Sequence, residues 1–534
     1  MIAKPSRFIR FLLMVFLAAI SGSLAVTAQA GGELSVGVSN NVDTLDANVT
    51  TFSSVGVIAS HIYDPLVWQS PLGTFHPGLA SEWSVNEDAT EYTFMLREDV
   101  MFHDGTPFNA AAVQYTFDRI ANPDTGSQTA VSLLGPYQET EIVDDYTVIV
   151  RFATPYAPFL DSASTPYLGM TSQAAVESMG ADYGLTSVVS TGAYKVESYI
   201  PDSEVVLVKN ADYNWGSEAV FGQSGAGNLD KITFKLIIEP TTRLAALESG
   251  EVQFINDLPP LDVTRLTENP DIAIAQIEQP GHGWSLMFNA EKAPTDELAV
   301  RQAVAQAINK QSFIDIVFNG FGTPGCSPLT KVMFAYTDAS CQELPFDPAA
   351  AAATLEAAGW VDSDGDGIRE RDGVALVLEH WYRDNPLSSN MATAVQSDLA
   401  AVGIQFNTNG ADGPGYFEKV RAGEHNTQNW WDTFTDPGSV MRTLFHSSNA
   451  DGGTNRNRYR NDEMDSLIDQ AAGTSDTAAR AELYAQIQQK VADEAIMVFM
   501  NDPFLLYGSS ATLQGVVYLS GGNIPNFYAA TLGS

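Results

Sequence analysis

Residues 62–120, IYDPLVWQSPLGTFHPGLASEWSVNEDATEYTFMLREDVMFHDGTPFNAAAVQYTFDRI, constrain the fold more than any other stretch, because their hydrophobic period switches once. Tyr92, Phe94 and Leu96 alternate with Thr93, Met95 and Arg97, the period of a half-buried strand. Asp104-Gly105 is a tight-turn dipeptide. Beyond it, Asn109 is placed to cap a helix whose Val113, Phe117 and Ile120 fall on one face. Strand, turn and helix in that order make a small α+β unit. The stretch contains no nucleophile, metal cluster or phosphate loop.

The N-terminus reads as an export signal. Lys4, Arg7 and Arg10 precede the apolar run Phe11–Ile20, which is too short to span a bilayer. Ala28-Gln29-Ala30 is a small-x-small cleavage site, so residues 1–30 are expected to be removed. No cysteine lies near the cut, which argues for a soluble protein of a Gram-negative periplasm without a lipid anchor. The two cysteines, Cys326 and Cys341, are both exported, and an oxidising compartment favours a disulfide between them. Closing that loop stabilises by about 3 kcal/mol in the chain-entropy picture. No histidine lies near them, so their spacing does not suggest a metal site.

The formal charge of −38 argues against nucleic acid as a partner. The acids are scattered, so they form a solvated surface rather than an acidic tail. Some 500 residues after export exceed what one core supports, and two lobes are expected. A monomer is the expected state. GxSxG, HExxH and P-loop signatures are missing, and the seven histidines are dispersed, so neither an enzyme nor a His-rich metal or haem site is indicated.

Further along, residues 31–38 read as a strand, 141–152 as a hairpin around Asp144-Asp145, and 191–215 as a hairpin turning at Pro201-Asp202. In 229–256 a helix capped by Thr241 or Thr242 separates two strands and stops at Gly250. Ser285–Phe288 is a short buried strand, and 297–318 reads as one long helix with Val300, Val304, Ala307 and Ile308 on a face. Helices are also expected over 346–360, 391–402 and 476–494, with a strand at Ile404–Phe406. This alternation indicates an α/β lobe.

The segments YDPL (63–66), PGLASEW (77–83), YTFMLR (92–97), FHDGTPF (102–108) and FDRI (117–120) resemble the family 5 extracytoplasmic solute-binding proteins. GGELSVG (31–37), the 190–215 hairpin, LESGEVQ (247–253) and VRQAVAQAINK (300–310) extend the resemblance over the chain after residue 30. Ala193 and Gln253 depart from it where Pro and Asp are usual. The resemblance implies an α/β, two-lobed periplasmic binding protein fold of the large type II-like, three-subdomain kind, with a ligand cleft between lobes. Lobe I would hold residues 31–280, with 60–190 as an extra subdomain. Lobe II would hold 281–499, and 500–534 would return to lobe I. It also implies a substrate-binding component of an ABC importer that performs no reaction. Such a protein takes a small-molecule ligand, first a short peptide, and delivers it to the permease subunits of the inner membrane by hinge closure. A non-peptide solute such as an oligosaccharide or opine is the alternative.

The ligand candidates lie in the second lobe. Peptide-binding relatives carry WxxDxx(D/E)P, whose first Asp pairs with the ligand amine. Aligned on Asp436-Pro437, that motif puts Trp430 on the Trp and Thr433 on the amine-binding Asp, with Asp432 one position early. Trp431 joins them, because two adjacent tryptophans on a strand do not bury the same way. Arg383, ahead of Asn385-Pro386, corresponds to the arginine that holds a ligand carboxylate, again displaced by one. The competing reading is a surface arginine paired with Asp384. Trp284, Trp381 and Tyr416 are further pocket candidates. Asp362, Asp364 and Asp366, followed by Gly367, resemble the start of a calcium loop, although Gly373 stands where a complete loop needs a bidentate Glu. Apart from that structural calcium, no cofactor is expected.

Overall fold

The computed structural model describes residues 31–70, 73–451, 453–519 and 524–533; the export segment lies outside them. A seven-stranded mixed sheet runs in the order Ile272–Glu278, Phe504–Ser510, Phe254–Ile255, Glu33–Val38, Lys231–Leu236, Glu204–Lys209, Tyr194–Ile200. A five-stranded sheet follows the order Gln405–Ala411, Val377–Arg383, Thr427–Asp432, His282–Phe288, Met497–Asn501. A four-stranded antiparallel sheet contains Ala80–Val85, Glu91–Leu96, Thr147–Phe152 and Tyr137–Asp144. Among the described residues no helix is long and apolar enough to cross a membrane.

The second sheet is inserted, in sequence, between neighbouring strands of the first. The chain passes over through residues 279–281 and back through 502–503. The two passages run side by side, with the Gln279 N–H donating to the Pro503 carbonyl at 3.0 Å. Two short passages joining two sheets make a hinge.

Within the second sheet, His282–Phe288 and Met497–Asn501 are buried on both faces. Leu286, Phe288, Val498 and Met500 enter one core, and Met287, Met497 and Phe499 enter another. That is why these strands read as continuous apolar runs rather than alternating ones. In Glu91–Leu96, by contrast, Tyr92, Phe94 and Leu96 are buried as the alternation requires. Asn109 accepts from the Ala112 N–H and caps Ala110–Ala121, burying Val113, Phe117 and Ile120. Cys326 and Cys341 are joined in a disulfide.

Three expectations change. The long helix over 297–318 is two helices, Leu298–Ala307 and Lys310–Val317. Asn309 breaks it: the Asn309 side chain accepts from the Ser312 N–H at 3.0 Å, while its own N–H is taken by Asp398 at 2.8 Å. An Asn that can cap locally competes with helix continuation. The helix Pro240–Glu248 is capped by Glu239, which accepts from the Thr242 N–H at 2.6 Å and from both threonine hydroxyls, with Pro240 in the first turn. The helix expected over 391–402 starts earlier, as Pro386–Ala400, with Asn385 as its cap.

Candidate functional site

Strand Val377–Arg383 ends on Arg383, and two residues later Asn385 caps Pro386–Ala400. Arg383 therefore stands beside a helix N-terminus, where the peptide dipoles favour negative charge. Next to it in the sheet, Thr427–Asp432 brings up Trp430, Trp431 and Asp432. Its partner strand pairs His282 with Asp432 and Ser285 with Trp430, so a bulge falls between them. A bulge adds twist and re-aims side chains, here at Trp284.

The result is a cavity of about 250 Å³ lined by Trp284, Arg383, Tyr416, Trp430, Trp431 and Asp432, together with Asn385, Ser388 and Asn429. Six of the eight ligand candidates expected from sequence thus converge. Thr433 does not line the cavity: its hydroxyl accepts from the Gln279 side chain at the hinge. Trp381 is not among the lining residues either. All of the lining belongs to the second lobe.

The aromatic groups form two sets. The Trp284 and Trp431 rings lie 5.1 Å apart between centroids, and Trp431 is 42% exposed. Trp430 carries the Arg456 guanidinium 3.5 Å above its ring centroid. Phe417 is approached by Arg383 at 5.8 Å, Arg421 at 5.7 Å and Arg456 at 5.1 Å. The Tyr416 hydroxyl donates to Gln428, and burial pushes its pKa up to about 12. Asp432 accepts from the Thr433 N–H at 2.9 Å. Burial raises its pKa, which the Thr433 N–H and the Arg456 charge only partly offset. Arg383 makes no ion pair with Asp384 or any other described carboxylate. The cavity thus offers a guanidinium and a carboxylate, neither in an ion pair among the described residues, between aromatic faces.

Arg421 and Arg456 did not stand out from sequence. The readable signal was the basic run Arg456, Arg458, Arg460 in so acidic a chain. Arg458 and Arg460 pair with Glu291, whereas Arg456 does not.

Asp436, the anchor of the sequence alignment, is occupied structurally. It caps Pro437–Phe445 and pairs with Arg480. It borders a second cavity, of about 450 Å³, between the lobes, with Gln69 and Asp161 contributed by the first. Burial, and then the Asp436 charge, push Asp161 up to about 7.

At the acidic turn, oxygens of Asp362, Asp364 and Glu370 lie within 4.8 Å of one another. Asp366 is outside that group, its carboxylate accepting from the Ile368 N–H. The Asp362 oxygens accept from Gly365 and Gly367. The turn therefore satisfies its own backbone with the same carboxylates a calcium ion would need.

Residues 74–452 match the model of the bacterial extracellular solute-binding proteins, family 5. The chain is 30% identical over 458 residues to the dipeptide-binding protein of Escherichia coli K12, covering 81% of this chain and 82% of that protein. It is 28% identical over 514 residues to the nickel-binding periplasmic protein of the same organism, covering 93% and 94%. The structure of HbpA2 from Haemophilus parasuis superposes with a TM-score of 0.82 at 23% identity, covering 94% of this chain and all of that one.

Proposed function

The chain belongs to the family 5 bacterial extracellular solute-binding proteins, and from that premise we propose that it captures short peptides in the periplasm and hands them to an ABC permease. Residues 1–30 direct its export, and the exported chain is soluble and monomeric. The observation that carries the peptide reading is the pair Asp432 and Arg383. They have opposite charge, line one cavity, and neither forms an ion pair among the described residues. A zwitterionic peptide offers an ammonium to the first and a carboxylate to the second. Arginine suits the carboxylate because its planar fork binds both oxygens. The dipeptide-binding relative supports this choice of cargo, and the nickel-binding relative shows that family membership alone does not determine it.

The cavity is lined by one lobe only, so the other lobe must swing over the hinge to enclose the ligand. Closure is driven only by contacts that the closed form makes and the open form lacks.

A thermal-shift and calorimetric screen of dipeptides, oligosaccharides and opines tests the reading. Dipeptides should raise Tm. Arg383→Ala should weaken their binding about 30-fold, equivalent to about 2 kcal/mol, the low end for removing one member of a charge pair. Stabilisation by uncharged sugars alone would replace the peptide reading with the non-peptide one, which the adjacent Trp284 and Trp431 faces favour.

A further inference from the structure

The described arginines of this chain divide into three groups. Most of those described reach a carboxylate: Arg97, Arg119, Arg151, Arg265, Arg369, Arg371, Arg442, Arg458, Arg460 and Arg480 each form an ion pair. Arg243 and Arg301 donate to main-chain carbonyls instead. Arg383, Arg421 and Arg456 have no carboxylate within ion-pair distance among the described residues, and these three meet at the single ring of Phe417. The chain carries 65 acidic residues, so acids to neutralise them were not scarce.

Arg421 ends the helix Gly413–Arg421, where a cation is favoured by the helix dipole, and needs no further account. Arg456 has no such support. Its Nη1 is buried and has no hydrogen-bond partner. Its guanidinium stacks on Trp430, a wall of the candidate cavity. Burial depresses its pKa most; Tyr416 and Asp432 pull it back in part, and Arg383 and Arg421 add smaller pushes downward. A half-buried cation without an ion-pair partner, beside two like charges, is costly. A bound anion would supply the missing partner. The helix N-terminus at Asn385 and Ser388 adds positive potential at the same wall.

We propose that the cargo is acidic, carrying at least two carboxylates, and that Arg383 receives one while Arg456 receives the second. This rests on the solute-binding reading of the same cavity. Asp432 is the one carboxylate lining the site, placed to take an ammonium where the cargo has one. An acidic peptide and a non-peptide polycarboxylate both satisfy this chemistry.

Calorimetry on the exported chain separates the cases. The probes are Ala-Glu against Ala-Gln, which differ by one carboxylate, and tricarballylate against butyrate, which differ by two. Ala-Glu is expected to bind at least about tenfold more tightly than Ala-Gln, the ratio one charge-assisted hydrogen bond supplies. In Arg456→Gln that ratio should fall to about two or less. A preference for tricarballylate that depends on Arg456, with both peptides silent, would support the acidic-cargo proposal and overturn the peptide reading. Equal affinity for Ala-Glu and Ala-Gln would overturn the acidic-cargo proposal and leave the peptide reading standing. A ratio that survives in Arg456→Gln, or no binding by any of the four probes, would also overturn it. The wild-type comparison decides the matter even if Arg456→Gln does not fold.

Discussion

Charge that is buried or left unpaired distinguishes a few side chains from the rest. Asp161 is the clearest structural case: it lies at the cavity between the lobes and is pushed up to about 7 by burial and by Asp436. In the unfolded chain it titrates near 3.8. The folded protein therefore holds this proton more tightly than the unfolded chain does. The stability the group contributes is fully present below about pH 4 and is lost as pH rises through about 7. At about 1.4 kcal/mol for each pH unit separating the two values, the swing is a few kcal/mol. Asp64 and Asp502 are raised in the same direction, so the pH slope of the wild type alone does not isolate Asp161. The difference in Tm between Asp161→Asn and wild type does. That difference is expected to grow in favour of the variant from pH 4 to pH 8, and a flat difference would remove the buried-acid account. The sequence showed which residue types stood near the candidate cavity, because Trp430, Trp431 and Arg383 sit in motifs. It did not show Arg456, whose importance lies in a missing partner. A missing partner is a property of three-dimensional neighbours, and no spacing along the chain encodes it.

At the level of elements, local rules were legible where one residue type dominates and hidden where two compete. Alternation placed Glu91–Leu96, and Asn109 placed the start of Ala110–Ala121, because nothing nearby offers a rival. The break at Asn309 was hidden, since the apolar face runs through it without interruption and its N–H is captured by Asp398 from a distant helix. The same limit applies at the hinge, where Gly281 has a φ of +116°. A Cβ there would lie 2.4 Å from the Phe434 nitrogen and 2.6 Å from the Asp432 carbonyl oxygen. Both are main-chain atoms, so the strand end that presents Asp432 has to move. Gly281→Ala is expected to cost about 1–3 kcal/mol in stability and to weaken ligand binding as well. Gly365→Ala is the control: its φ is +80° but a Cβ there meets nothing within 4 Å, so stability should fall without a change in affinity. Denaturant titration and calorimetry on the two variants measure both effects. Equal affinity losses would mean that crowding at Asp432 is not the cause.

For the whole molecule, the surface and the cavity have opposite signs. The chain carries a formal charge of −38, whereas the cavity has Arg383 in its wall and Arg456 stacked on its Trp430, against one lining carboxylate. How an acidic solute experiences the two depends on screening. At 0.01 M salt the Debye length is about 30 Å, so an approaching anion meets the repulsion of the entire surface. At 0.15 M it is about 8 Å, which screens the distant acids but not groups in contact with the ligand. For an acidic ligand the association rate should therefore rise between 0.01 M and 0.15 M salt, opposite to the fall seen when surface field and ligand are complementary. The dissociation rate should change less, because it is set by desolvated contacts inside the closed site. Stopped-flow tryptophan fluorescence is suited to the measurement, since Trp284, Trp430 and Trp431 line the cavity. An association rate that falls with salt would mean that the local arginines, and not the net charge, steer the encounter. In that case the acidic surface would serve solubility without opposing capture.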